Sequence, residues 1–263
     1  MSYEKRFVAY MDILGFKSLI EKTKENEENY NQVNKALSTI ADIRHDNYAG
    51  ALSEYGIHKE ITIFSDSVII SYAANVSFGG ALSHILTDLV HICMELLIHD
   101  MYFRGGVTYG DLTHNKNICF GPAMNRAYEI ETTIAKNPRI LIDREAVKQG
   151  ILNPAIHNSC DMEWESLQEL LQQDRAGQFW LDVLRQCNEV DEYDYLHLLH
   201  TMKRNLQAHL TSISIPKVRK KYLWLARYYN RNLSRITRKT QKGRAMKSEL
   251  QIHKSLLSKY LPT

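Results

Sequence analysis

Cysteine is scarce in these 263 residues and never clustered. Cys93, Cys119, Cys160 and Cys187 stand far apart, and no CxxC pair occurs. That argues against a zinc site and a thioredoxin-like motif. The four read as reduced thiols of a cytoplasmic protein. No apolar run approaches the roughly 20 residues that span a bilayer, so no membrane partner is expected. The first residues, MSYEKRFVAY, lack the apolar core and cleavage site of a signal peptide. GxSxG, HExxH and the GxxxxGK phosphate loop are also missing. What is present is a globular composition: at 44% hydrophobic the chain is too apolar for disorder.

The net charge of +3 conceals an asymmetry. From Lys203 onward, sixteen Lys and Arg face a single acid, Glu249; the residues before it carry 17 bases against 29 acids. The pattern of segments changes in the same part of the chain. A first domain is therefore expected over 1–150, and a helical C-terminal region over 151–263, basic from about 203.

Residues 6–13, RFVAYMDI, read as a short buried strand ending on an acid. A glycine turn and the helical stretch FKSLIEKTKE follow. Tyr30 to about Leu52 has apolar residues at helical spacing. Glu60–Phe64 and Val68–Tyr72 are β-branched runs separated by Ser65-Asp66-Ser67, a hairpin with an acid at its tip. Leu82–Ile98 reads as a long core helix. Phe103–Tyr109 is a strand interrupted by Gly105 and Gly106, and Ile118–Phe120 a short one. Pro122 opens a helix running to about Ala135, and Arg139–Ile142 closes the series as a strand. The order reduces to a ferredoxin-like βαββαβ core, so the fold class is α+β with a C-terminal helical extension. From about Glu163 the chain looks helical. After Pro216, Tyr222, Leu225, Ala226, Tyr229, Leu233 and Ile236 form an apolar stripe with most basic residues outside it.

Asp12 ends the first strand and Asp66 tips the hairpin. If those strands are neighbours, the two carboxylates meet at one edge of the sheet. Close carboxylates without a fixed counter-charge repel, and a divalent cation resolves the repulsion. Mg²⁺ and Mn²⁺ prefer such oxygen ligands. Taken singly, either Asp is more often a turn or cap residue; the pairing of contexts is the signal. The turn Leu14-Gly15-Phe16-Lys17 exposes backbone N–H groups at a helix N-terminus, a cradle for polyphosphate, and Lys17 could add a contact. His197 and His200, three apart in a helix, read as core or surface histidines rather than a metal pair.

MDILGF at 11–16, SDS at 65–67, FRGGVTYG at 103–110 and GPAMNRAYEIE at 121–131 resemble, in order, the motifs of class III adenylyl and guanylyl cyclases. The resemblance spans residues 6–142. More closely, these segments look like the pyrimidine nucleotide cyclases of bacterial Pycsar anti-phage defence. The resemblance implies a catalytic domain that binds two divalent metal ions, Mn²⁺ or Mg²⁺. Asp12, Asp66 and the Ile13 carbonyl would hold them. Gly15 and Phe16 would offer N–H groups to the phosphates. Asn125 would hold the ribose from the other subunit of a homodimer with composite sites. The product, 3′,5′-cyclic UMP or cyclic CMP from UTP or CTP, would act on a separate cyclic-nucleotide-responsive effector.

Two departures from that pattern matter. Purine cyclases read the base with a Lys or Glu four residues before the second metal Asp and with an Asp or Cys where this chain has Ile118. Here the first place holds Thr62, whose hydroxyl can donate or accept. That suits a pyrimidine without deciding which. The family's transition-state Arg falls at Glu129, which cannot stabilise a developing negative charge. Arg104, Arg126 and Lys136 are the substitutes available, with Arg104 favoured for its neighbouring Gly105-Gly106 pair. Two other readings stay open: a degenerate cyclase fold that senses a nucleotide, and nucleic-acid binding by the basic C-terminal region. The latter is disfavoured, because the apolar stripe calls for a packed partner surface.

Overall fold

The computed structural model describes residues 3–45, 58–74, 79–186 and 192–239. Two compact units divide the chain, Met1–Val183 and Leu184–Thr263.

In the first unit, strand β1 (Glu4–Ile13) is central, and its apolar run from Phe7 to Met11 is buried on both sides. Helices α1 (Phe16–Thr23) and α2 (Glu27–His45) follow. Then come β2 (Lys59–Phe64), β3 (Ser67–Ala73), helix α3 (Ala81–Ile98) and β4 (Phe103–His114). These strands lie in the order β2-β3-β1-β4, each antiparallel to its neighbour. That is the expected ferredoxin-like core, two interleaved βαβ units with a foreign strand between each parallel pair. Strand β4 runs straight through Gly105 and Gly106, so the glycines do not interrupt it.

Strand β5 (Cys119–Phe120) folds back on the end of β4. Helix α4 (Pro122–Glu129) continues into a π turn, Ile130–Ile134, and β6 (Ile140–Ile142) then pairs with β4 in parallel. Beyond β6 the structure departs from the helical expectation. Helices α5 (Arg144–Leu152) and α6 (Cys160–Leu170) are present, but β7 (Leu171–Gln173) and β8 (Phe179–Leu181) extend the sheet as β4-β6-β8-β7. Trp180 and Leu181 are buried there. Arg139 pairs with Asp174 at 2.7 Å and lies over the Trp180 ring. This extension carries the unit to Val183, past the boundary expected near 150.

Strand alternation sorts the side chains of the core sheet. Phe7, Ala9, Met11 and Ile13 share one face with Ile70, Tyr72 and Val107, and α3 packs on that side, where the Tyr72 hydroxyl donates to Asp88 at 2.7 Å. Arg6, Val8, Tyr10 and Asp12 share the other face with Thr62, Ser67, Ser71, Arg104 and His114. Helix α4 covers part of this second face through a small cluster of Val8, Tyr10, Leu112, Ala123 and Ala127. The expectation that no segment could span a bilayer needs correcting at α3. Its 18 residues have mean hydropathy 1.6, long and apolar enough by length and composition alone. Here it is a core helix, with Leu82, Ile85, Leu86 and Leu89 fully buried.

In the second unit, α7 (Val183–Gln186) crosses the boundary and leads to α8 (Glu192–Ser212) and α9 (Pro216–Lys239). Tyr229 donates from its hydroxyl to the Leu199 carbonyl at 3.1 Å, and Asn232 donates to the Tyr195 hydroxyl at 2.6 Å. Leu225, Ala226, Tyr229 and Leu233 of the expected stripe are buried, while Arg227, Arg231 and Arg235 are exposed. Ile236 falls beyond the described side chains.

Candidate active site

Asp12 and Asp66 meet. In the β1–β3 register Asp12 lies opposite Ser67, which puts the hairpin tip against the end of β1. The Ile13 amide donates to the Asp66 carbonyl at 2.9 Å and fastens the two together. Ser65, at φ 57, turns the chain through the left-handed region just before Asp66. A non-glycine residue held there stores strain, a feature concentrated at functional sites. The register and the Ile13–Asp66 hydrogen bond bring the Asp66 backbone beside the end of β1, and the charge of Asp66 acts on Asp12. Asp12 is pushed up to about 6, first by burial, then by the charge of Asp66 and that of Glu131; Arg104 pulls the other way. Carboxylates brought together take up a proton or, in its place, a divalent cation.

Arg104 stands opposite Asp12 in the β1–β4 register and forms an ion pair with Glu131 through both Nε and Nη2. Glu131 is 2% exposed. In the sequence Glu131 is only the last residue of the segment 121–131, and nothing in its spacing marks it as a site residue. The π turn is what brings it in, and such turns recur at functional sites. Gly106 permits this: a Cβ there would lie 2.6 Å from Ile130 Cβ and 2.8 Å from the Ala127 carbonyl. Of the two close approaches that the glycine pair allows, backbone or ligand, backbone is the one found: the helix at Gly106, and β1 at Gly105, where a Cβ would lie 2.6 Å from the Tyr10 carbonyl oxygen. Arg126 donates to Asp143 and to Glu129, each at 2.9 Å. Lys136 is exposed.

Gly15, at φ 77, caps α1 without a side-chain hydrogen bond, and no acid occupies the first turn. A Cβ built on Gly15 would meet nothing within 4 Å, so the turn faces open space. Phe16 is buried and Lys17 exposed. An uncapped helix N-terminus of this kind suits phosphate. Asn125 sits on the exposed side of α4, its side chain without a hydrogen-bond partner among the described residues. Thr62 is half-buried, and its hydroxyl is 3.0 Å from His114 Nε2. Ile118 is half-exposed beside an Asn115 turn.

Solved structures similar to this chain are nucleotide cyclase domains. The monomeric guanylyl cyclase domain of the RhoGC fusion protein from the aquatic fungus Blastocladiella emersonii is 17% identical, over 69% of this chain and 96% of its own, with a TM-score of 0.46. The guanylate cyclase domain of RhGC from Catenaria anguillulae, in complex with GTP, is 17% identical over 69% of this chain and 97% of its own, with a TM-score of 0.45. A bacterial light-regulated adenylyl cyclase is 16% identical over 77% of this chain and 57% of its own, with a TM-score of 0.42. No family model and no curated protein matches the chain.

The donor set suits a hard divalent cation. Among the described residues no group of three or more His, Cys, Asp or Glu side chains forms a metal cluster. The candidate site rests instead on two oxygen-donating carboxylates, Asp12 and Asp66, whose mutual repulsion Arg104 offsets in part. Mg²⁺ is held in this way in many phosphoryl-transfer sites, by one or two carboxylates plus substrate phosphates. His197 and His200 lie on α8 in the second unit, beside Lys203 and Arg204.

Proposed function

We propose that this protein is a pyrimidine nucleotide cyclase, converting UTP to 3′,5′-cyclic UMP and pyrophosphate, with CTP as the alternative substrate. The observation that carries the reading is the convergence of Asp12 and Asp66 at the end of β1, where Asp12 lies opposite Ser67 and the Ile13 amide donates to the Asp66 carbonyl.

Asp12 and Asp66, with the Ile13 carbonyl, would hold two divalent ions, Mn²⁺ or Mg²⁺. When bound, these lower the pKa of the 3′-hydroxyl and neutralise the triphosphate. The open turn at Gly15 and Phe16 presents N–H groups to the β- and γ-phosphates, with Lys17 alongside. The 3′-oxygen attacks the α-phosphorus in line; the new P–O bond forms as the bond to the bridging oxygen breaks, and pyrophosphate leaves. Positioning and charge neutralisation supply most of the acceleration. The exposed and unengaged Asn125 fits a ribose contact made across a homodimer. The cyclic product then serves as a messenger for a separate effector in an anti-phage response.

A second reading has its own support. Arg104 is held by Glu131, and Arg126 by Asp143 and Glu129. Neither reaches a developing phosphate charge without leaving its partner, which favours a nucleotide sensor. Turnover separates the two. The purified protein is incubated with each of the four nucleoside triphosphates and Mn²⁺, and pyrophosphate and cyclic product are followed. A cyclase releases both from UTP or CTP, and Asp66→Ala abolishes release while the fold survives. Tight binding without release identifies a sensor. Cyclisation of ATP alone overturns the pyrimidine assignment.

A further inference from the structure

Four strands of the second face contribute to a largely buried polar chain that no catalytic step uses. Arg6 of β1 donates from Nε to the Ser71 hydroxyl of β3 at 2.9 Å. The Ser71 hydroxyl lies 2.8 Å from His114 Nδ1, on β4. His114 Nε2 lies 3.0 Å from the Thr62 hydroxyl, on β2. Arg6, Ser71 and His114 are all buried, and Thr62 is the half-exposed end of the chain.

The direction of the hydrogens from Arg6 to Thr62 follows from the buried end of the chain. Arginine only donates. Arg6 Nη1 pairs with Glu4, and Nη2 donates to the His58 and Ser71 carbonyls at 2.7 and 3.2 Å, so the guanidinium is fixed. Ser71 accepts from Arg6 and is fully buried, so its single hydrogen must find an acceptor or be orphaned. The acceptor in reach is His114 Nδ1. That assignment makes His114 the neutral Nε2–H tautomer; a second ring proton would displace the Ser71 hydrogen and add a cation beside buried Arg6. Nε2–H then donates to the Thr62 oxygen. The Thr62 hydroxyl, already accepting from Nε2–H, keeps its own hydrogen free and is polarised toward donating it.

We infer that His114 is a positioning residue that fixes Thr62 as a hydrogen-bond donor, so that the base read there presents a carbonyl. Among pyrimidines that base is uracil, whose O4 accepts; cytosine offers N4–H₂, a donor, at the same place. The inference rests on the cyclase reading above and on Thr62 meeting the base. It supplies what a lone hydroxyl leaves open, the choice between UTP and CTP.

The test has two arms on the full-length protein. In the first, kcat/KM is measured for UTP and CTP in wild type, His114→Leu, His114→Gln and Thr62→Val, with melting curves to verify folding. Wild type prefers UTP. His114→Leu and Thr62→Val reduce the UTP-to-CTP ratio on the order of tenfold, mostly through KM for UTP. His114→Gln, whose amide can still donate to Thr62, keeps most of the preference. A folded His114→Leu with an unchanged ratio, or a wild type that prefers CTP, overturns the relay and leaves the cyclase standing. No turnover of either pyrimidine overturns the cyclase reading and the relay with it. In the second arm, nitrogen chemical shifts of labelled histidine, assigned by difference from the His114 variant, report the tautomer without any turnover. Protonation at Nδ1 sinks the inference even if UTP is preferred.

Discussion

Odd and even residues of one strand meet different worlds. Phe7, Ala9, Met11 and Ile13 of β1 face Ile70, Val107 and the apolar side of α3. Arg6, Tyr10 and Asp12 face Ser67, Ser71, Arg104 and His114, under only partial cover from α4. The first face loses little by being sealed, and hydrophobic burial there holds the sheet together. The second spends part of that stability. It gathers two carboxylates beside a third, Glu131, and balances them incompletely with Arg104. The contrast teaches that side-chain parity divides the sheet into a sealed apolar face and an open polar face, to which the proposed function assigns the chemistry. Substitutions on the two should have separable effects.

The largest expected effect breaks activity alone. Asp66→Ala should lower turnover by about 10³ or more, since the proposed ligand to both ions is lost. Its melting temperature should stay level or rise, because removing one of two facing carboxylates relieves repulsion. A variant that unfolds instead would return Asp66 to the role of a turn residue. On the opposite face Leu86→Ala should cost about 2–5 kcal/mol by emptying a fully buried site. Its kcat per folded molecule should hold within about twofold; a large loss there would blur the division. Gly106→Ala tests the seam between the two roles. Its Cβ collides with Ile130, costing about 1–3 kcal/mol, and turnover falls because Glu131 shifts with the π turn. Stability loss without loss of turnover would remove Glu131 from the site.

Much of this arrangement was legible in the sequence where it depends on one segment. RFVAYMDI reads as a buried strand because its apolar run is continuous, and SDS between two β-branched runs reads as a tip. The ferredoxin-like order follows from those segments and the long apolar helix at 81–98. What depended on pairing register was not legible. Thr62, Ser71 and His114 come from three strands, and only the register Thr62–Ile69 and Ser71–Val8–Thr108 brings their faces together. Glu131 was hidden because a π turn changes the facing that 3.6-residue spacing predicts. Strands β7 and β8 have three residues each, too few for alternation to show. The charge step at Lys203 marked a real change in composition but not the unit boundary, which Trp180 and Leu181 carry to Val183.

The smallest effect is the one that most directly measures the strain of the polar face. Asp12 is pushed up to about 6 in the folded protein, above the ordinary 3.8 of the unfolded chain. Below pH 4 both states hold the proton and the shift has no effect. As pH rises from about 4 through about 6, the unfolded chain releases its proton first. Folding is then disfavoured progressively, and the penalty is complete near pH 7. Asp12 is half-exposed, so solvent screening reduces the penalty to roughly 1 kcal/mol. Asp12→Asn has no proton to lose. Its melting temperature should match wild type below pH 4 and exceed it increasingly between pH 4 and 6, with the gap level above 7. Millimolar Mn²⁺ should then raise wild type alone and narrow the gap, if the ion binds the folded carboxylate pair as proposed. A gap independent of pH would mean that Asp12 carries no burial or charge penalty, and equal Mn²⁺ stabilisation of both proteins would place the ion elsewhere.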